Sequence, residues 1–307
     1  MGLIRPVSRR LPDGTVREVL PFHVSFEGLE KAIICRDEGD CDTLVKCVFV
    51  CSKRKNVIVI IYAVVSNHAH VAVLAGKFTE AKAFGEEVKR TYSQLFRKKY
   101  GESKILRGTD VNVQSIDTDW YLRNVLAYIP RNAYDNGAES LLDYKWSGFR
   151  AFFRRIPDNS WLRPVSKLTH REWREIMHTG DDLSDVPWKL NSDDELEPGS
   201  ACDNDYLEKA FGNDETFFYR CIGSVNVSEM TQKLVVSPRK MKTDEEFYKE
   251  IDDVSMRWFM TGVANLPMSK KARLIPYVYH MMKTTVPQMA RGFGVSREDI
   301  RRLLCKV

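Results

Sequence analysis

Residues 57–74 constrain the fold of this 307-residue chain more than any other stretch. Residues 57–65 are a nearly continuous β-branched run, Asn67 breaks it, and residues 68–74 resume the apolar character apart from two histidines. Runs of this length and composition make central strands, and a short polar break between two of them makes antiparallel neighbours. A chain with such a pair must build a sheet around it. In a strand, residues two apart share a face, so His68 and His70 project side by side. Two imidazoles on one rigid face are half of a metal site. Without a second half they are two polar residues at a strand end.

The flanking pattern predicts the other elements. Residues 17–27 read as a strand carrying Val19, Phe22, Val24 and Phe26. Asp40-Cys41-Asp42 offer helix caps before Leu44, Val45, Val48 and Phe49 at helical spacing. Thr79 caps a second helix to about residue 100, with Phe84, Val88, Tyr92 and Phe96 on one face and Arg90, Arg97 and Lys98 on the other. Residues 111–116 alternate as a fourth strand, and Asp117 or Asp119 caps a third helix through Trp120, Leu122, Val125 and Ile129. The order strand, helix, strand, strand, helix, strand predicts an α+β, ferredoxin-like antiparallel sheet with helices on one face.

Composition narrows the class. The chain is 43% hydrophobic and 11% aromatic, as globular proteins are. No apolar run is long enough for a membrane span, and the N-terminus has no apolar signal core. Seven cysteines without a Cys-x-x-Cys pair predict reduced thiols in a cytoplasmic protein.

Charge is distributed unevenly. Residues 181–215 hold 12 Asp and Glu against Lys189 and Lys209, while residues 265–307 hold nine Lys and Arg against Glu298 and Asp299. An acidic insert between basic flanks predicts a polyanion partner. The pattern divides the chain into a first domain, 1–155, a helical linker with an acidic segment, 156–215, and a helical all-α domain, 216–307. Residues 143–155 mix aromatic and basic side chains, among them Lys145, Trp146 and Arg150. They read either as a helix packed on the domain or as a platform for single-stranded nucleic acid. Residues 285–304 read as a helix, a tight turn at Gly294 and a second helix capped by Ser296. That is a helix-turn-helix layout, with Arg297, Arg301 and Arg302 on the second helix.

The third helix contains Tyr128-Ile129-Pro130-Arg131-Asn132. Tyr128 and Asn132, four apart, share a helix face. Taken alone, they read as a core tyrosine and a C-terminal turn residue.

Taken with the histidines, the blocks resemble the single-tyrosine HUH transposases, specifically the REP-associated tyrosine transposase branch. The resemblance covers roughly residues 19–153. It rests on Phe22-His23-Val24-Ser25, Ser66-Asn67-His68-Ala69-His70, Thr91-Tyr92-Ser93-Gln94-Leu95-Phe96, Tyr128-Ile129-Pro130-Arg131-Asn132 and Tyr144-Lys145-Trp146-Ser147-Gly148. Two departures stand out. Asn132 is followed by Ala133 where the family has proline, and Pro130 sits inside the block.

The resemblance implies a set of roles. His68, His70 and Asn132 hold Mg2+ or Mn2+, and Tyr128 attacks a phosphodiester of single-stranded or hairpin DNA, leaving a 5′-phosphotyrosine and a free 3′-OH. Such an enzyme is expected in the cytoplasm with the nucleoid, away from membranes, as monomer or homodimer. Arg90, Arg97, Lys98, Arg131, Lys145, Trp146, Arg150, Arg297, Arg301 and Arg302 are the expected DNA contacts. The competing readings are a hairpin-binding protein that no longer cuts, and a metal-dependent phosphodiesterase that activates water.

Overall fold

The computed structural model describes residues 2–29, 32–102, 106, 109–135, 140–153, 161–224, 242–282 and 284–304. At its centre β3 (Ile58–Val64) and β4 (His68–Ala75) pair antiparallel, with Ala63 opposite His70 and Ile61 opposite Ala72. The register shifts between Val59 and Ile61, a bulge that turns both Ile60 and Ile61 toward one core. The long strand β2 (Val16–Glu27) pairs with the other side of β4, placing Ser25 opposite His70 and His23 opposite Ala72. The far edge of β2 is shared by β1 (Val7–Arg10) and β5 (Asn112–Ser115). The central order is therefore β5-β2-β4-β3, all antiparallel.

Helices cover both faces of this sheet. Helices α1 (Glu38–Lys55) and α2 (Phe78–Tyr100) pack Leu44, Val48, Phe84 and Val88 onto Val24, Val71 and Val73. Gly85 lets α2 approach closely, since a Cβ there would lie 2.4 Å from Val111 and 2.8 Å from Val24. Helix α3 (Asp119–Asp135) lies on the opposite face, with Leu122, Val125, Leu126 and Ile129 against Ile61, Ala63, Ala72 and Leu74. The expectation of helices on one face is thus corrected. The reason is in β4 itself: all eight of its residues are buried, so neither face tolerates water.

The acidic segment is also not a linker. Two-residue strands β6 (Arg163–Pro164) and β7 (Lys189–Leu190) pair, and α4 (His170–Ile176) joins them. Leu183, Val186, Trp188, Leu190 and Leu196 enter the core beneath α1, where Trp188 meets Phe49 at 5.9 Å between ring centroids. The acids neutralise bases of the first domain: Asp181 takes Arg54 at 2.6 Å, Asp203 takes Arg9 at 2.8 Å, and Asp185 takes Lys53. Short helices α5 (Pro198–Ala201) and α6 (Asn204–Ala210) follow, then α7 (Glu215–Ser224), which packs Phe218 against Phe149 and Phe152 beside α3. The expected boundary at 216 therefore falls inside the first unit.

A separate apolar core gathers α8 (Asp244–Phe259), α9 (Met268–Met281), α10 (Val286–Phe293) and α11 (Arg297–Leu304) around Phe247, Ile251, Leu274, Val278, Met289 and Ile300. Gly294 adopts the left-handed conformation (φ 61°) that stops α10, and the Ser296 hydroxyl accepts from Asp299 N at 3.0 Å to start α11. Asp244 bridges the two units, accepting from Arg291 at 2.8 and 3.0 Å with Arg36 Nε 3.8 Å away.

Candidate active site

The pleat sends His23 and Ser25 of β2 and His68 and His70 of β4 to the face under α3. From the helix, Tyr128 and Asn132 meet them. His70 and Tyr128 rings are 5.3 Å apart and nearly perpendicular, and His68 Nε2 lies 3.3 Å from Asn132 Oδ1. The four residues proposed from sequence therefore converge, although about sixty residues separate the two pairs. Helix α3 runs unbroken through Pro130, so the proline does not part Tyr128 from Asn132. Asn132 Nδ2 donates to the Tyr128 carbonyl at 3.1 Å, which turns its oxygen toward His68.

The cluster is dry. His23, His68, His70, Tyr128 and Asn132 are each 0–1% exposed. Burial opposes a charged ring, so the pKa falls to about 3 at His23 and to about 4 at His68, the latter partly offset by its Asn132 bond. Burial together with the neighbouring His68 and His23 holds His70 well below the usual range. All three rings are neutral at physiological pH, the form that ligates metals.

The hydrogen-bond arithmetic then fits a cation. A neutral His68 carries one N–H yet faces two oxygens, Asn67 Oδ1 at 2.8 Å and Asn132 Oδ1 at 3.3 Å. With the proton on Nδ1 toward Asn67, the Nε2 lone pair and an amide oxygen face each other. His70 Nε2 and Ser25 Oγ are buried with no hydrogen-bond partner among the described residues. Two imidazole nitrogens and one amide oxygen would offer a divalent cation three neutral donors, with waters completing its shell. Among the described residues no group of three His, Cys, Asp or Glu suits a metal, so the set depends on Asn132.

His23 was missed as a site residue in the sequence, where it appears only inside the block Phe22–Ser25. Its Nε2 lies 3.1 Å from His70 Nδ1, with the rings stacked 5.1 Å apart. Accepting the Nδ1–H of His70 leaves Nε2 of that ring as a lone pair, as neighbours of metal-bound histidines do. The available signal was strand parity: His23 and Ser25 alternate with core residues Phe22, Val24 and Phe26.

The expected DNA contacts scatter. Arg97 and Lys98 are exposed on α2, and Arg90 there pairs with Glu87, but α2 lies across the sheet from the histidines. Arg131 donates to the carbonyls of Ile222 and Gly223, capping α7. Lys145 pairs with Glu195 at 3.0 Å. Trp146 is 9% exposed and sits in the core, so no base can stack on it. Its segment forms only a 3-10 turn, Gly148–Ala151, with Arg150 half-buried within it; residues 154–155 of that expectation lie outside the described ones. Arg297, Arg301 and Arg302 are exposed on α11. Four of the thiols, Cys35, Cys41, Cys47 and Cys51, are free and buried, and burial pushes the Cys47 thiol up.

The sequence matches no protein-family profile and no curated protein sequence. A solved structure of a REP-associated tyrosine transposase bound to a REP hairpin is similar over 43% of this chain and 77% of its own, at 13% identity and a TM-score of 0.36. A likeness of that size leaves function to be judged from the site. Among the described residues no helix is long and apolar enough to cross a membrane.

Proposed function

We propose that this chain is a metal-dependent DNA strand transferase that cleaves and rejoins single-stranded or hairpin DNA through Tyr128. The reading rests on one observation: His68, His70, Asn132 and Tyr128 meet in one buried cluster, with His68 Nε2 3.3 Å from Asn132 Oδ1 and Tyr128 against His70. The strand order supports a ferredoxin-like core, and α10 and α11 support a helix-turn-helix that engages duplex DNA beside the cleaved strand.

His68 and His70 nitrogens and the Asn132 oxygen hold Mg2+ or Mn2+. When bound, the ion offsets charge on the scissile phosphate. Tyr128 Oη attacks phosphorus, an O–P bond forms to the phenol, and the bond to the 3′ oxygen breaks. The phenol loses its proton in the step and the departing 3′ oxygen takes one up. An ordinary phenol titrates near ~10, so loss of that proton needs a local acceptor. His23 and Asn67 hold the rings of His70 and His68 with their Nε2 atoms presented. The phosphodiester energy is conserved in the tyrosyl link, so no nucleotide cofactor is required.

The test is adduct formation on a hairpin oligonucleotide with Mn2+, read on a denaturing gel. The expected result is a covalent band that Tyr128→Phe abolishes; an equal yield of cleavage from that variant would overturn the assignment. Tyr128 is 0% exposed, which favours a second reading, a hairpin-binding protein that does not cut. That reading gives DNA affinity with no adduct from the unaltered chain.

A further inference from the structure

Away from the histidines, the turn between α8 and α9 builds an exposed aromatic surface. Met260 ends α8 in the left-handed conformation, the Ser255 hydroxyl donates to the Thr261 carbonyl at 2.5 Å, and Val263 N donates to Asp252 at 2.8 Å. These bonds fix the turn and bring Trp258 of α8 onto Tyr277 of α9, with ring centroids 4.7 Å apart. The inward side of α9, Leu274, Ile275 and Val278, is taken up by the apolar core, so Tyr277 faces out. Trp258 and Tyr277 remain 46% and 36% exposed, and Met281 is 68% exposed one turn further along the same side of α9. Holding such rings in water-facing positions leaves apolar surface uncovered, which folding alone does not favour.

Two cations lie over the ring next to Trp258 in the chain. Lys270 and Arg273 lie 5.3 and 6.0 Å from the centroid of Phe259, which adjoins Trp258. Lys270, Arg273, Tyr277 and Met281 recur at spacings of three and four along one side of α9. No acidic residue occurs from 265 to 297. An apolar protein partner would not need that charge; flat part-exposed rings beside cations match unpaired bases followed by their phosphates.

We propose that Trp258 and Tyr277, with Lys270 and Arg273, form a binding surface for single-stranded DNA, separate from the histidine cluster. It would hold an unpaired strand by stacking while the backbone lies along the cations of α9.

The full chain is titrated with a fluorescent thymidine 20-mer in EDTA, where cleavage at Tyr128 is silent. Trp258→Ala and Tyr277→Ala should each weaken binding roughly five- to hundredfold, the range that loss of one stacked base gives. Trp258→Phe and Tyr277→Phe should restore most of it, which separates stacking from misfolding. Lys270→Gln/Arg273→Gln should flatten the salt dependence. Unchanged affinity in both alanine variants overturns the proposal, and the adduct test on Tyr128 stands or falls apart from it. Tighter binding to an RNA 20-mer of the same length also overturns it. So does a dimer in the unaltered chain that Trp258→Ala dissociates with no change in DNA affinity, which would make the surface a contact between copies.

Discussion

Two regions of this protein gather aromatic and basic side chains, and they do so in opposite environments. Beneath α3, three imidazoles and a phenol are wholly buried and held by strands on one side and a helix on the other, and burial keeps the imidazoles neutral. At the α8–α9 turn, an indole and a phenol stand half in water, and Lys270 and Arg273 lie over the neighbouring Phe259. Burial removes protons from the histidines and fixes their orientation, which suits ligation. Exposure keeps the rings accessible beside a basic helix, which suits capture of a long flexible polyanion. Similar residue types thus acquire different chemistry from solvent access alone.

Substitutions should separate the two regions, beginning with the largest effect. Trp188→Ala, in the core beneath α1, is expected to cost about 3–5 kcal/mol in urea unfolding. That result ties the acidic segment to the sheet unit; a loss under about 1 kcal/mol would return it to the role of linker. His70→Ala should weaken Mn2+ binding, measured by calorimetry, by at least roughly a hundredfold through loss of a ligand while leaving single-strand affinity in EDTA intact. His23→Ala should lower Mn2+ affinity by about 10–100-fold. His23→Gln, which keeps an acceptor near the same place, should recover part of that.

Acid should act on the buried histidine cluster and not on the aromatic surface, with a smaller part from half-buried His178, which burial also lowers. In the unfolded chain these histidines titrate near ~6.5, while burial lowers His23 to about 3 and His68 to about 4. The unfolded state therefore binds protons that the folded state refuses. The stabilisation is complete above pH ~6.5 and is lost as pH falls toward the folded values, at up to about 1.4 kcal/mol per pH unit for each histidine. Urea midpoints at pH 7.5, 6 and 5 check this, and a flat series would mean that the cluster is hydrated. The smallest effect is at the surface: Trp258→Ala should lower unfolding stability by about 1–2 kcal/mol, less than Trp188→Ala.

Much of the candidate site's geometry was legible in the chain. The alternation of His68 and His70 gave a shared strand face, and the four-residue step from Tyr128 to Asn132 gave a shared helix face. Each is a local period, and local periods survive folding. For His23 only the strand face was legible, from its alternation with Phe22, Val24 and Phe26; its partner His70 is set only when β2 pairs with β4. Trp146 and Arg131 were misread for a related reason. Their composition suits nucleic acid, but the edge of β3 and the C-terminus of α7 reach them first.

The sequence by itself determined the strands, most of the helices, the turn at Gly294 and the two local pairs of the site, since these follow from periodicity and backbone preference over short spans. The tertiary structure decided that both faces of β4 need helices, that the acidic residues serve as counter-charges to Arg9, Lys53 and Arg54, and that His23 stands behind His70. Those outcomes depend on which surfaces meet across tens to hundreds of residues. Burial and charge pairing fix that choice, and neither has a period in the sequence.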